Sequence, residues 1–257
     1  MSIQLLITTF SGILTSFNEK VLVFDRKLSY LRFAQDKQLL AMEKTLKELV
    51  SAFMISSAEE RACIENNAAP KSFDDIARCM LAGHFLVTDG NTEVKVRPTT
   101  LEFYYHEEKE GGIKDTIVYH RDTKSSKKPL IPTGFLHNHV SGIDLTFEHE
   151  NGGKVRASVL IREFIIETDG EEQKKSMKAF NIKVNEKDGR STGMYAALFS
   201  QFSVFDEGFT VRWVDGTVPA DVDWMQPRKN VKQYIDGVKQ PEKDCLRQWK
   251  ACLKTDK

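Results

Sequence analysis

TTLEFYYHEE, residues 99–108, alternates strictly: Leu101, Phe103 and Tyr105 fall on one side of an extended chain, Glu102, Tyr104 and His106 on the other. Aromatic residues with a period of two predict a strand with one core face. Working outward, HFLVT and EVKV precede it in the same style. DTIVYH, FLHNHV, IDLTFEHE, KVRASVLIREFIIET and FTVRWVDG follow, with turns at NGG and other polar breaks. Helices frame these runs. SFDDIARCMLAG (72–83) offers Ser72 as N-cap, acids in its first turn and Gly83 at its end. Residues 171–181 and 191–203 read as helical, and PEKDCLRQWKACLK reads as a closing helix with Cys245 and Cys252 on one face. One helix, a block of strands, then helices predicts an α+β fold with a mostly antiparallel sheet and flanking helices.

Upstream, LLAMEKTLKELVSAFMI spaces Leu39, Met42, Leu46, Leu49, Val50 and Phe53 at helical intervals. Ser57 with Glu60 forms a candidate capping box. NNAAPKS (66–72) breaks the pattern, which predicts an N-terminal helical segment, 1–70, and a main domain, 71–257. The start, MSIQLLITTFSGILTSF, has neither a basic leader nor an uninterrupted apolar run, so neither a signal peptide nor a spanning helix fits. The expectation is a soluble, monomeric, intracellular protein with no membrane partner, cytoplasmic or beside DNA in a nucleoid or nucleus.

The 257 residues carry 37 basic and 37 acidic side chains, so no overall field directs the protein to nucleic acid or membrane, and such partners need a local patch. HRDTKSSKKP (120–129) is one such patch, with Arg121, Lys124, Lys127 and Lys128 against Asp122. Four cysteines, Cys63, Cys79, Cys245 and Cys252, lack the spacing of a metal knuckle and read as free thiols. The tryptophans Trp213, Trp224 and Trp249 read as core or edge packing, and the cluster from Arg228 to Lys232 as solvated surface. No phosphate-cradling glycine motif and no G-x-S-x-G nucleophile setting is present.

Two stretches carry chemistry. In GFLHNHVSGIDLTFE (134–148), His137 and His139 share a face of an extended chain, with Asp144 and Glu148 beyond the Ser141-Gly142 bend. An H-x-H pair suits zinc, but a site needs three or four ligands and the facing of the carboxylates is not readable. In the LEFY strand, Glu102 between an aromatic ring and an imidazole suits activation of a water. The same alternation also describes a solvated outer face.

The order of ARCMLAGHFLV, LEFY, a histidine with a basic loop, TGFLH-x-H, RASVLIRE and GRSTGMYAALFSQF resembles the alkyladenine (3-methyladenine) DNA glycosylase family over about residues 72–205. The resemblance implies a curved, mostly antiparallel sheet of the glycosylase type. It implies hydrolysis of the N-glycosidic bond of an alkylated or deaminated purine in DNA, duplex or single-stranded, without metal or cofactor. Glu102 matches the glutamate that activates water and Tyr104 the aromatic packed on the base. His120 matches the pocket histidine, with Tyr119 and Asp115 as alternatives. His137 and His139 stand at tyrosines of the second wall, and Arg162 at the arginine after V-L-L. Arg121, Lys124, Lys127 and Lys128 would meet phosphates, with help from Arg97, Arg156 and Arg162. Ser141 stands where the family has its intercalating tyrosine, Glu163-Phe164 replaces Glu-Pro, and GRSTGMY lacks the family lysine. Two other readings remain open: a non-catalytic nucleic-acid-binding relative, and a metal-dependent nuclease using His137, His139 and Asp144.

Overall fold

A computed structural model describes residues 44–150, 152–200, 202, 208–217, 220–228, 231, 234–235 and 237–254. The expectations for residues 1–43, including the start of the helix read at 39–55, lie outside the described residues. The described residues form one compact unit.

Its first helix, α1 (Leu46–Ser51), opens on a reciprocal capping box: Glu48 N–H donates to Thr45 Oγ1 at 3.3 Å and Thr45 N–H to the Glu48 carboxylate at 2.7 Å. Ser57 caps α2 (Ala58–Glu65) through Glu60 N–H at 3.1 Å. The Glu60 carboxylate, expected to close that box, instead accepts from Ser72 N–H at 3.0 Å. It thereby caps α3 (Lys71–Ala82) from another helix. Ser72, expected as the N-cap of α3, lies in its first turn, because Pro70 takes the cap position and has no N–H of its own to satisfy.

Two 15-residue strands, β2 (Glu93–Glu107) and β6 (Lys154–Thr168), pair antiparallel as the spine of the sheet. Their outer edges are shared among short strands. β1 (His84–Thr88) takes one end of β2 and β12 (Lys250–Leu253) the other, on either side of Pro98. Proline cannot donate to a ladder, and the register shifts beside it. The far edge of β6 is divided among β4 (Gly142–Thr146), β5 (His149–Glu150) and β7 (Lys187–Asp188). β3 (Leu136–His139) and β8 (Thr210–Val214) end the main path β3-β4-β6-β2-β1-β8, and β9 (Val222–Gln226) adds to β12. β10 (Tyr234–Ile235) and β11 (Val238–Lys239) make a separate small ribbon.

The class is α+β, but the curved glycosylase-type sheet expected from the resemblance is corrected. Ten strands among the described residues form an open sheet, neither curved nor closed. Outer strands of two to five residues carry no continuous curvature across the spine.

The apolar face of α3 covers the core side of β2, with Phe73 stacked on Phe103 at 4.6 Å and edge-on to Trp249 at 5.3 Å. Each such fully buried side chain contributes roughly 1.5–3 kcal/mol. Leu46, Val50, Phe53 and Ile64 join the same core, so residues 44–70 pack with the main domain rather than apart from it.

Three local expectations change. The closing helix is only α6 (Glu242–Cys245), followed by β12; Trp249 and Ala251 are both buried with a period of two, because the β2 edge beyond Pro98 recruits them as a strand. DTIVYH forms turns, with Asp115 held by Arg228 and Thr116 by Asp244 rather than by a neighbouring strand. The helix read at 191–203 is α5 (Ser191–Tyr195) continued as a π-helical turn over Ala196–Ser200. After α5's predecessor α4 (Glu171–Ala179) the chain returns to the sheet through β7. No described helix is long and apolar enough to cross a membrane, and the four cysteines are free.

Burial holds His84, His106, His137 and His149 below the usual imidazole value of 6.5. The unfolded chain therefore binds more protons once pH drops under that value, so this contribution to stability is complete above it and is lost as pH falls toward the folded-state values. Urea midpoints measured from about pH 8 to about pH 5 should be flat at first and then decline from near neutrality. A midpoint that stays constant over that range would contradict the assignment.

Candidate functional site

The second face of β2 is the one that holds Glu102, Tyr104 and His106. It is not solvated: Glu102 is fully buried and His106 nearly so. The sheet register sets Glu102 opposite Leu160, Leu160 opposite Asp144, and Asp144 opposite His137, one row across four strands. Next to it, Thr100 faces Glu163 while Leu101 faces Ile161, which leaves Arg162 as the extra residue of a bulge. Bulges re-aim side chains, and this one sets the Arg162 Nε 3.7 Å from Glu102 Oε1. Tyr104 Oη donates to Glu102 Oε2 at 3.3 Å. Arg162 also donates to the Ser141 carbonyl at 3.3 Å, tying the β3–β4 hairpin tip to the same place. Gly142, at φ 146°, closes that tip, where a Cβ would meet Leu160 at 2.7 Å.

These elements enclose a cavity of about 720 Å³, and Glu102, Tyr104, His120, His139, Ser141 and Arg162 all line it. The expected second wall differs in detail. His139 and His137 back the ring of Tyr119, at 4.6 and 5.7 Å between centroids, and it is Tyr119, with Asp144, that joins the lining. His137 does not line the cavity. His139 has both nitrogens engaged, Nε2 with Asp144 at 3.2 Å and Nδ1 accepting from Ser141 N–H at 3.2 Å. Among the described residues no group of three or more His, Cys, Asp and Glu side chains can hold a metal ion, so the His137–His139–Asp144 grouping does not assemble as a ligand set.

The cover over this face is the loop from Glu108 to Phe135, and Arg156 pins it. The fully buried guanidinium donates through Nε to Glu108 (3.1 Å), through Nη1 to Glu148 (3.0 Å) and the Pro129 carbonyl (2.7 Å), and through Nη2 to Asp122 (3.0 Å) and the Lys128 carbonyl (2.7 Å). All five donors are used. The basic residues of the loop divide as a result. Arg121 donates to the Val118 carbonyl and Lys128 to the Tyr119 carbonyl, stiffening the loop, whereas Lys124 and Lys127 stand exposed, Lys127 with its ammonium 3.5 Å from Asp122. None of the four lines the cavity, but His120 joins the loop directly to it.

Arg228 corrects another expectation. Rather than lying on solvated surface, it is buried, paired with Asp115 at 2.6 Å, with its guanidinium 4.8 Å from the Tyr104 ring centre. Burial would lower its pKa, but the Asp115 charge and hydrogen bonds outweigh that and raise it, so the cation is fixed behind Tyr104. Burial also pushes the Tyr104 phenol well above its usual value, so it stays protonated as a donor to Glu102. Sequence reading gave these residues other roles: Asp115 stood as an alternative to His120, Glu148 beside the histidine pair and Arg156 among the phosphate contacts, whereas Asp115 pairs with Arg228, and Glu148 and Arg156 with each other. For the burial of Arg156 a signal existed: in KVRASVLIRE it shares the alternating face of Ser158 and Leu160, both of which are buried. Arg228 had none, since its partner lies more than a hundred residues away.

Chemically, the cavity offers a buried carboxylate between a phenol and a guanidinium, a ring for stacking and a further imidazole. Replacing Arg156 with Met would leave three carboxylates facing one another and two carbonyls unpaired. Urea denaturation should show a loss of about 3–5 kcal/mol. A loss under about 1 kcal/mol would show that the loop is held by other contacts. No protein-family model matches this chain, and no curated protein matches it.

Proposed function

We propose that this protein binds DNA and hydrolyses the N-glycosidic bond of a damaged purine, alkylated or deaminated, with Glu102 activating the water. The observation that carries the reading is Glu102 itself: a fully buried carboxylate that nonetheless lines a nucleotide-sized cavity, flanked by Tyr104 and Arg162. In such a reaction the carboxylate orients and deprotonates water on one side of the sugar and stabilises the oxocarbenium-like centre electrostatically. The exposed part of the Tyr119 ring is the surface for the base, worth about 1–3 kcal/mol in stacking.

Extruding a base from a duplex needs an apolar group to take its place. Ser141 is too small, but its neighbour Val140 is 95% exposed at the hairpin tip beside the cavity, its carbonyl accepting from Ser191 Oγ at 3.4 Å. Lys124 and Lys127 are the cations for the backbone, which makes the affinity salt-dependent. The enzyme acts as a monomer in the compartment that holds the DNA, a cytoplasm with its nucleoid or a nucleus.

Alkylated and deaminated oligonucleotides, duplex and single-stranded, should yield abasic sites in the presence of EDTA. Glu102→Gln should lower the rate by about 10²–10⁴-fold while leaving binding within a few-fold. Equal binding by both proteins without base release would identify a non-catalytic binder, and activity abolished by EDTA a metal-dependent nuclease.

Val140→Asp should weaken duplex processing at least tenfold more than single-stranded processing. Equal effects on the two substrates would remove the wedge role.

A further inference from the structure

The helix that borders the cavity has an outward face unlike that of a solvated helix. α5 and the π-helical turn that continues it read STGMYAALFS from Ser191 to Ser200, with no charged side chain. Gly193, Met194, Ala197 and Leu198 are buried, and Thr192, Tyr195, Phe199 and Ser200 are exposed. A surface helix ordinarily turns charged groups to water. Here two aromatic rings stand in that place, Tyr195 at 46% exposure and Phe199 at 38%. Their centroids lie 5.4 Å apart, so they form one surface rather than two scattered apolar residues.

That surface is continuous with the cavity. Helical spacing puts Thr192, Tyr195 and Phe199 on one face, and Thr192 lines the cavity beside Arg190 and Arg162. At about 1.5 Å per residue the row leaves the cavity wall in steps of roughly 4–6 Å. Those steps are a little longer than the roughly 3.4 Å per nucleotide of a stacked strand. The size of the row narrows its partner. The exposed parts of the two rings amount to an area on the order of 200 Å². A stable protein interface needs about 800 Å² from each side, whereas one ring is enough for one base. The guanidinium groups at the cavity end are held by carboxylates, Arg190 by Asp188 and Arg162 beside Glu102, so what the row offers is stacking rather than charge.

Resting on the reading of the cavity as a base pocket, we propose that Tyr195 and Phe199 stack the unpaired bases on one side of the target nucleotide, and that single-stranded DNA is therefore the form this protein grips. The target base enters the cavity at Tyr119, and the strand leaves past Thr192 and over the two rings. A duplex keeps its bases paired and stacked on one another, so it has no base faces to offer the row. Every base has a π-face, so this grip tolerates any neighbouring sequence.

Fluorescence anisotropy with a short unmodified oligonucleotide, single-stranded or annealed to its complement, tests this without turnover. Tyr195→Ala and Phe199→Ala should each weaken single-strand binding at least about fivefold and leave duplex binding unchanged. Phe199→Tyr should bind as the wild type does. Phe199→Leu, apolar but without a π-face, should be as weak as Phe199→Ala. Both side chains are exposed, so urea midpoints of all these variants should match the wild type. If Phe199→Leu binds like the wild type, or the alanine variants lose nothing, the stacking role is wrong. A wild-type dimer that becomes a monomer in the alanine variants, with single-strand binding unaffected, would make the row a contact between two copies of this chain instead. A base-release assay separates this proposal from the chemistry at Glu102. Single-strand binding through the rings with no release of any damaged base keeps the row and removes that chemistry. Base release by a protein whose alanine variants bind single strands normally does the reverse.

Discussion

The structure depends most on one buried cation. Arg156 sits in the spine strand β6 with no exposure and distributes its five donors over three carboxylates and two carbonyls. A charge in that position costs several kcal/mol to desolvate and is tolerable only when every donor is met. Meeting them draws Glu108, Asp122, Lys128, Pro129 and Glu148 inward, and so folds a long polar loop down over a sheet face that would otherwise face water. The loop in turn sets Tyr119 and His120 at the cavity and leaves Lys124 and Lys127 outside. A single side chain thereby links sheet, cover and site.

The second organising constraint is irregularity in the spine. Pro98 cannot donate to the ladder, and the register shifts on both sides of Thr100. On the β2 side this splits the edge between β1 and β12, bringing the C-terminal strand and Trp249 under α3. On the β6 side it frees Arg162 as a bulge residue and turns it toward Glu102. The same irregularity brings the guanidinium to the cavity. Buried polar groups on such a face stay satisfied because partners arrive from distant segments, as Asp115 and Arg228 do behind Tyr104.

How much was legible can be argued residue by residue. The period of two in TTLEFYYHEE put Glu102 and Tyr104 on one face and Leu101, Phe103 and Tyr105 on the other, and the first pair lines the cavity while the other three pack in the hydrophobic core. The H-x-H spacing correctly grouped His137 with His139, and Ser141-Gly142 marked the hairpin turn between β3 and β4. Local pattern failed where an edge elsewhere decided the outcome. QWKACL has helix-forming neighbours, yet it pairs with Thr100–Glu102 on the edge of β2 that faces away from β6. DTIVYH has strand composition, yet Asp115 and Thr116 are held by Arg228 and Asp244, and its apolar Val118 packs outside any strand. Ser72 carried every local mark of a cap and was displaced by a proline before it and a glutamate from another helix.

By itself the sequence determined which residues can share a face, because alternation and helical spacing are properties of the local backbone. That was enough for the α+β class, the strand bearing Glu102 and Tyr104, and the histidine pair beside a turn. Tertiary structure alone decided what covers that face: whether Glu102 is solvated or buried, that both nitrogens of His139 are engaged, and that Arg228 stands behind Tyr104. Those outcomes are set by register and by charge pairs closed across tens to more than a hundred residues. Nothing local encodes such pairs, since the free energy that selects them is that of burying the whole set at once.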